Sequence, residues 1–236
     1  MRAAARDPPA PFPPSIPKPQ MPAKSVPPRP VPRLYLATPV IDDAAPVRAV
    51  LAAALAAADV AAVLLRLSPS DPRTLVTRVK ALAPVVQGAG AALLLDGHDD
   101  LVARGGADGA HLAGIRAMQA ALPHLKPERI VGVGGLASRH DAMIAGEAGA
   151  DYVLFGEPDA RGQRPSVEAV AGRLQWWAEL FEPPCVGYAA NRDEAELFVA
   201  AGADFVLVDD MIWADQAGPA AALAAVQDAI KPAQRT

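Results

Sequence analysis

Short apolar runs alternate with longer amphipathic segments along most of the chain. Eight runs are mostly apolar with little alternation, which is typical of parallel strands covered on both faces. The runs are 34–38, 60–67, 91–96, 109–112, 129–133, 151–156, 184–188 and 204–209. Alanine-rich segments with helical spacing lie between them, at 44–58, 71–83, 99–105, 114–122, 138–148, 166–180, 191–201 and 217–229. This alternation predicts a single domain over residues 34–236, a (β/α)8 TIM barrel.

One short pattern, Gly-Ala-Asp after a small residue, occurs three times. The repeats are GGADGAHL at 105–112, AGADYVLF at 148–155 and AGADFVLV at 201–208. The glycine before each Ala-Asp falls where a helix must end, and glycine tolerates the left-handed conformation that ends it. The aspartates Asp108, Asp151 and Asp204 open the next strand, so we expect them at the N-terminal face, hydrogen-bonded to turn amides. They are therefore predicted to stabilise the fold and not to catalyse.

The N-terminal 33 residues differ in composition from the rest. They hold twelve prolines and almost no aliphatic run, which predicts a disordered, partly polyproline-II arm over residues 1–33. The arm has six basic residues and one acid, so its net charge is +5 and that of the remainder is −9. Two roles stay open for it: a solvated tail, or a docking arm for a proline-binding domain or an acidic surface.

Composition excludes several classes of partner. The acidic folded part argues against nucleic acid, because phosphate binding needs clustered Lys and Arg. Charges interrupt every stretch of about 20 residues that could cross a membrane. The arm lacks the apolar core of a signal peptide, and the single cysteine, Cys185, excludes an intrachain disulfide. We therefore expect a cytoplasmic protein without a membrane or nucleic-acid partner.

In this fold, functional residues lie where strands end and the following loops begin. The polar residues at those positions are Asp42, Asp43, Arg66, Ser68, Asp71, Asp96, His98, Asp99, Asp100, His111, Glu157, Asp159, Arg161, Tyr188, Asn191, Asp209 and Asp210. Arg66 ends a buried strand and needs a partner, either a ligand anion or an internal carboxylate such as Asp96 or Asp209. His111 is either a satisfied core histidine or a ligand contact.

The adjacent acids Asp209 and Asp210 follow the last strand. Strand alternation places one of them inward and the other outward. An inward carboxylate there could bind a metal, an amine or a pyrimidinium-like group.

Three segments resemble the thiamine phosphate synthase family and its thiazole tautomerase relatives. They are DGHDDLVARGGADGAHL at 96–112, IVGVGG at 130–135 and GADYVLFG at 149–156, and the resemblance covers most of residues 34–212. It implies a TIM barrel with small-molecule ligands and a possible homodimer. The family reaction joins a pyrimidine diphosphate to a thiazole phosphate, and pyrophosphate leaves with the help of Mg²⁺.

Several positions depart from the family pattern on strands two to five. Arg66 matches, but Ser68 stands where the family has Lys. Gly97 and Arg116 replace the two acidic metal ligands, and Gly134 replaces a Ser. Mg²⁺ is thus implied by resemblance only, and no metal ligand is assigned.

The loops after strands six to eight are also altered. Arg161 and Arg164 stand in place of a Thr and a Lys, Ala189 and Ala190 in place of paired glycines, and Asp209 or Asp210 in place of a Ser. A carboxylate about 4 Å from one phosphate charge costs roughly 4 kcal/mol at an effective dielectric near 20. We expect this pocket to reject the family's thiazole phosphate.

Three functional hypotheses follow. The first is a thiamine phosphate synthase-like transferase of thiamine biosynthesis. The second is a catalytically degenerate barrel that binds a small ligand, and the third is a tautomerase-like isomerase. The tautomerase His falls on Leu136 or Ala137, so His140 is about one turn away, and His140 and His111 are the candidate catalytic residues. The candidate substrate-binding residues are Arg66, Asp96, His98, Arg161, Tyr188 and Asp209.

Overall fold

Eight parallel strands form a closed barrel in the computed structural model, which describes residues 30–159 and 161–231. The strands are β1 Arg33–Ile41, β2 Val60–Leu67, β3 Ala92–Asp96, β4 Gly109–Ala113, β5 Ile130–Gly134, β6 Tyr152–Phe155, β7 Cys185–Tyr188 and β8 Phe205–Val208. Each strand pairs with the next in the chain, and β8 pairs with β1, which closes the barrel. The predicted TIM barrel is confirmed.

Helices alternate with the strands on the outside of the barrel. They are α1 Ala44–Ala57, α2 Pro72–Gly88, α3 Val102–Gly105, α4 Ile115–Leu125, α5 Arg139–Glu147, α6 Val167–Leu180, α7 Arg192–Ala200, α8 Asp210–Trp213 and α9 Pro219–Ile230. A single 3-10 turn, Asp99–Leu101, precedes α3. The short helix α8 was not predicted, and Asp209 alone separates it from β8.

Two helices continue through a proline that their predicted ends did not pass. Helix α2 includes Pro84 and α4 includes Pro123. A proline inside a helix removes one backbone hydrogen bond. Residues beyond these prolines are nevertheless buried, Val86 in α2 and Leu125 in α4, and this packing keeps the last turn helical.

The Gly-Ala-Asp repeats lie at the N-terminal face, as predicted. Their glycines have φ of 75°, 101° and 99°, in the region that only glycine adopts readily. The aspartates, however, do not bind turn amides. The Asp108 carboxylate accepts the Leu93 N–H at 2.7 Å, and the Asp108 N–H donates to the Leu93 carbonyl at 2.8 Å. The same exchange joins Asp151 to Val131 and Asp204 to Cys185, so each aspartate joins its strand to the preceding one.

The core has two layers. One lies between the barrel and its helices, and the other fills the barrel interior with residues that include Tyr35, Leu94, Tyr152 and Leu207. Within the described ranges, every buried side-chain polar atom has a hydrogen-bond partner.

The predicted arm falls mostly outside the described residues, because residues 1–29 are among those not described. Residues 30–32 have no regular structure, and Arg33 already belongs to β1. None of the helices described here has the length and apolar character to cross a membrane.

Candidate functional site

Arg66 lies at the C-terminal mouth of the barrel between two carboxylates. Its Nη1 is 3.1 Å from Asp209 Oδ2, and its Nε is 3.8 Å from Asp96 Oδ2. Asp209 is almost fully buried, whereas the side chain of Asp96 is 44% exposed. Of the two partners considered for Arg66, the structure therefore provides the internal carboxylates.

Tyr188, at the end of β7, completes this group. Its hydroxyl donates to Asp209 Oδ2 at 2.8 Å. Burial, together with the neighbouring Asp209 carboxylate, raises the pKa of Tyr188 well above its ordinary value. The hydroxyl is therefore a fixed donor, and Asp209 Oδ2 accepts from both Tyr188 and Arg66. Asp209 is thus the inward acid of the Asp209–Asp210 pair, whereas Asp210 is exposed in α8.

A second polar group, centred on His111, runs through the barrel interior. His111 Nε2 lies 3.0 Å from Glu157 Oε1, and Nδ1 lies 2.9 Å from the Tyr152 hydroxyl. The Tyr152 hydroxyl is in turn 2.9 Å from that of Tyr35. Both ring nitrogens of this buried histidine are occupied, so His111 is a satisfied core histidine.

An ionised Glu157 fixes the direction of these hydrogen bonds. A carboxylate can only accept, so His111 Nε2 carries the hydrogen that faces it. In a neutral imidazole Nδ1 then accepts from Tyr152, which accepts from Tyr35. Burial raises the pKa values of both tyrosines, which keeps them protonated. Each of the four side chains, Glu157, His111, Tyr152 and Tyr35, thereby has a hydrogen-bond partner.

Glu157 keeps that charge in spite of its burial. Burial opposes ionisation, but the hydrogen bond from His111 and the Gly135 N–H, at 2.8 Å from Oε2, outweigh it. The pKa of Glu157 is consequently lowered from its ordinary value. About a quarter of the side chain is exposed, 24%, so an ionised carboxylate faces the mouth.

Two glycines of β5 provide the space for these side chains. A Cβ at Gly134 would lie 1.8 Å from Glu157 Oε2, and one at Gly132 would lie 1.9 Å from the Tyr152 ring. Any other residue at position 134 would therefore displace the Glu157 carboxylate. Gly134 thus leaves the space that the Glu157 carboxylate occupies.

A third polar group joins the loop after β6 to the end of β7 and the first turn of α7. The Arg164 guanidinium donates to the Tyr188 carbonyl and to Glu194 Oε2, each at 2.8 Å. Glu194 Oε2 also accepts the Ala190 N–H at 3.0 Å. Although burial opposes its ionisation, these contacts lower the pKa of Glu194. An internal carboxylate thus occupies a backbone N–H in the loop after β7, where barrels of this kind bind phosphate.

Two cavities lie near the C-terminal rim. One, of about 410 Å³, lies between the loops after β5 and β6 and is lined by Glu157, Arg164 and Arg173 among others. The Arg173 guanidinium donates to the Leu136 and Ala137 carbonyls, which engages two of its five N–H groups. The other cavity, of about 520 Å³, lies between α1 and α2 and touches none of these residues.

Three of the predicted site residues lie apart from these groups. His98 is half-buried before the 3-10 turn, His140 is exposed in the first turn of α5, and Arg161 is exposed in the loop after β6. The Arg161 N–H donates to Asp159 Oδ1 at 2.8 Å. Among the described residues, no hydrogen bond or ion pair joins their side chains to Arg66, His111 or Asp209.

The carboxylates at the mouth do not fit a Mg²⁺ site. Within residues 30–159 and 161–231, no three His, Cys, Asp or Glu side chains are grouped so that they could hold a metal. Mg²⁺ prefers oxygen ligands in near-octahedral geometry, but Asp96 and Asp209 flank the Arg66 cation, which would repel a divalent ion.

Two residues of the site were not predicted in their roles. Glu157 was a candidate without an assigned partner, and Glu194 was not considered. The sequence carries a signal for Glu194, because Asn191 and Glu194 have the N-cap and N3 spacing of a capping box. The Glu194 N–H does donate to Asn191 Oδ1 at 2.9 Å. No local pattern could have paired Glu157 with His111, 46 residues away.

Comparison with known proteins agrees with the geometry of the barrel. The family model described as thiamine monophosphate synthase matches residues 34–212. A thiamine-phosphate synthase of Rhodospirillum centenum is 42% identical over 81% of this chain and 94% of its own length. That of Hyphomonas neptunium is 36% identical over 82% and 91%.

A solved structure with the same fold is the thiamine phosphate pyrophosphorylase from Pyrococcus furiosus. Its TM-score is 0.71 at 21% identity, over 84% of this chain and 95% of that one. The 3-hexulose-6-phosphate synthase from Salmonella typhimurium has a TM-score of 0.63 at 16% identity, over 84% and 98%. These two structural similarities show the fold alone, whereas the family model and the sequence relatives show family membership. The chain belongs to the thiamine-phosphate synthase family.

Proposed function

We propose that this family member binds a neutral or cationic small molecule of the thiamine-precursor type at its barrel mouth, and that it does not join a diphosphate to a second substrate. The main support is the position of Arg66. This is the cation that matches the family pattern, and it is held between Asp209 and Asp96. A diphosphate would have to break this arrangement and leave Asp209 buried without its cation, which is costly.

The balance of charge around the mouth supports the same proposal. Arg66, Arg164 and Arg173 carry three positive charges, and the four carboxylates of Asp96, Glu157, Asp209 and Glu194 lie among them. Each carboxylate about 4 Å from an added negative charge opposes it by roughly 4 kcal/mol at an effective dielectric near 20. A heteroaromatic ring with an amino group or a positive ring nitrogen would be attracted instead.

The wider setting follows from the family. We place the protein in thiamine metabolism in the cytoplasm, with small molecules as ligands and without a nucleic-acid partner. Mg²⁺ is not required for binding under this proposal, because the mouth carboxylates are engaged by Arg66, Arg164 and backbone N–H groups. A homodimer rests on the family resemblance alone.

Turnover and binding can be measured on the same purified full-length chain. It is incubated with hydroxymethylpyrimidine diphosphate, thiazole phosphate and Mg²⁺, and pyrophosphate release is followed. In parallel, its melting temperature is measured with the unphosphorylated aminopyrimidine alcohol. We expect no pyrophosphate above the protein-free control, and a melting temperature that rises with aminopyrimidine concentration.

The matched variants are Asp209→Asn and Asp210→Asn, which remove the same charge from adjacent positions. Asp209→Asn should abolish the ligand-dependent rise, and Asp210→Asn, in exposed α8, should retain it. Pyrophosphate release that Arg66→Ala abolishes would instead establish the transferase and overturn the proposal.

A second candidate, an isomerase, is favoured by one specific contact. Glu157 faces the mouth and accepts from His111, which is hydrogen-bonded to Tyr152 and Tyr35. This hydrogen-bonded series of side chains could hold and return a proton. Glu157 would touch the ligand, and His111 would position the Glu157 carboxylate. Deuterium exchange into a thiazole carboxylate, lost in Glu157→Gln, would support this candidate. If His140→Ala abolished this deuterium exchange and Glu157→Gln did not, the exposed histidine on α5 would be the acid–base residue.

A further inference from the structure

A β-bulge lies near the end of β1, beside Arg66. The register of β1 against β2 shifts between Ala37 and Val40, where β1 has one residue more than β2. A bulge interrupts the ladder of backbone hydrogen bonds, and bulges beside functional sites re-aim side chains. Val40 pairs with Arg66, so the irregular stretch ends at the strand position that carries the cation of the mouth.

The side chain of Thr38, within the bulge, holds the backbone of Arg66. Thr38 is fully buried, and its Oγ1 accepts the Arg66 N–H at 3.1 Å. A backbone N–H inside a protein needs an acceptor, and here a side-chain hydroxyl provides it in place of a strand carbonyl. The backbone position from which the Arg66 side chain starts therefore depends on Thr38.

Trp213 of α8 joins the same part of β1 to Asp209. Its indole Nε1 donates to the Ala37 carbonyl at 2.7 Å, and its backbone N–H donates to the Asp209 carbonyl at 3.4 Å. The Ile212 N–H donates to the Asp209 carbonyl as well, at 2.8 Å. The first turn of α8 thus connects the backbone of Asp209 to the residue that precedes Thr38.

These contacts close a ring around the ion pair of Arg66 and Asp209. The ring runs from the Arg66 side chain to Asp209, through Trp213 to Ala37, and from Thr38 back to the Arg66 N–H. The ion pair is therefore fixed from the backbone of both partners. Removal of either the Thr38 hydroxyl or the Trp213 indole N–H would open the ring.

We propose that Thr38 and Trp213 are positioning residues, which hold Arg66 on Asp209 and so set the charge selectivity of the mouth. This rests on the proposed function, in which the paired Arg66 is withheld from a diphosphate. The Arg66 side chain is 26% exposed, so without the ring it has space to turn toward an anion. An arginine side chain gains rotamer freedom when it is released, which favours that movement.

The reactivity of individual arginines tests the proposal without any ligand. The full-length chain is treated with phenylglyoxal, which modifies accessible guanidinium groups, and each arginine is followed by peptide mass mapping. Thr38→Val keeps the shape of the side chain and removes the hydroxyl, whereas Thr38→Ser retains a hydroxyl. We expect Arg66 to react about fivefold faster in Thr38→Val, the factor that loss of one hydrogen bond of ordinary net strength gives. Thr38→Ser should react at the unaltered rate.

Two other arginines show whether the effect is confined to Arg66. Arg164 is held by an internal carboxylate and reports general loosening, and the exposed Arg48 on α1 is the reference. Both should react at their unaltered rates. Thr77→Val, at an exposed position of α2, makes the same substitution away from the mouth and should change no rate. Equal Arg66 rates in all variants, or a parallel rise at Arg164, would overturn the proposal.

Trp213→Phe keeps the proposal testable if Thr38→Val fails to fold. It removes the indole N–H at a half-buried position, and Trp176→Phe, at a half-buried position of α6, is the matched control. Trp213→Phe should raise the reaction rate of Arg66 about fivefold, and Trp176→Phe should not. An Arg66 rate that is the same in both variants would overturn the proposal.

Ligand affinity separates this proposal from the proposed function. The dissociation constant of the aminopyrimidine alcohol should rise about fivefold in Thr38→Val and return to the unaltered value in Thr38→Ser. If the unaltered chain did not bind this alcohol although the Arg66 rates changed as expected, the proposed function would fail and the positioning of Arg66 would stand. If the alcohol bound with equal affinity to the unaltered chain and Thr38→Val, the role of Thr38 in selectivity would be overturned.

Discussion

At the scale of single residues, Gly134 decides what the neighbouring Glu157 can do. The family resemblance implied a Ser at the position of Gly134, but no sequence pattern showed what fills the space, because the Glu157 carboxylate lies after the next strand. Arg66 was more predictable, since a cation at the end of a buried strand needs a partner, and both carboxylates considered for it are present.

Gly134→Ser should disturb the His111–Glu157 contact. The new Cβ would lie within 1.8 Å of Glu157 Oε2, so the carboxylate must move. We expect a loss of about 1–3 kcal/mol in the free energy of unfolding, measured in urea. In Glu157→Ala, which removes the clashing carboxylate, the same Ser substitution should cost clearly less. Equal costs in the two backgrounds would contradict the packing described here.

The contribution of Glu157 to stability should depend on pH. Its pKa in the folded protein lies below the ordinary value of 4.5. The ionised carboxylate therefore stabilises the fold above pH 4.5, and this contribution is lost as the pH falls through the lowered pKa. The melting temperatures of the unaltered chain and Glu157→Gln should differ most at pH 7 and converge in acid. The exposed Glu147→Gln should show no such convergence, and a constant difference for Glu157→Gln would contradict the assignment.

At the scale of elements, the repeated Gly-Ala-Asp made the architecture predictable. Each repeat ends a helix and starts a strand, and both events are local, so a single sequence carries them. The ends of α2 and α4 were less predictable, because packing of the residues beyond Pro84 and Pro123 against the barrel outweighs the local proline penalty.

Asp108→Ala should show how strongly these aspartates join the strands. The change leaves the Leu93 N–H, in a buried part of β3, without the carboxylate that accepts it at 2.7 Å. An unsatisfied buried donor costs about 1–3 kcal/mol, which we expect in urea unfolding. Asp42→Ala, at an exposed position after β1, is the matched control and should change stability little. If the two variants were equally stable, the aspartate would have no structural role.

At the scale of the whole molecule, the fold was predictable and the site only in part. Eight strand–helix units can form few closed arrangements, and their order along the chain gives the order around the barrel. The site instead depends on side chains from opposite parts of that barrel. Arg66 and Asp209 are 143 residues apart, and Arg164 and Glu194 meet across two loops. Such contacts follow from loop conformation and not from periodicity.

We propose that internal carboxylates engage the cations and N–H groups of the mouth, so that the mouth does not hold a diphosphate. Calorimetric titration of inorganic pyrophosphate with Mg²⁺ into the full-length chain tests this most directly. We predict no saturable heat up to about 1 mM ligand, a concentration at which even binding of about −4 kcal/mol would be detected, and the same trace for Arg66→Ala. Saturable micromolar binding that Arg66→Ala abolishes would contradict the account.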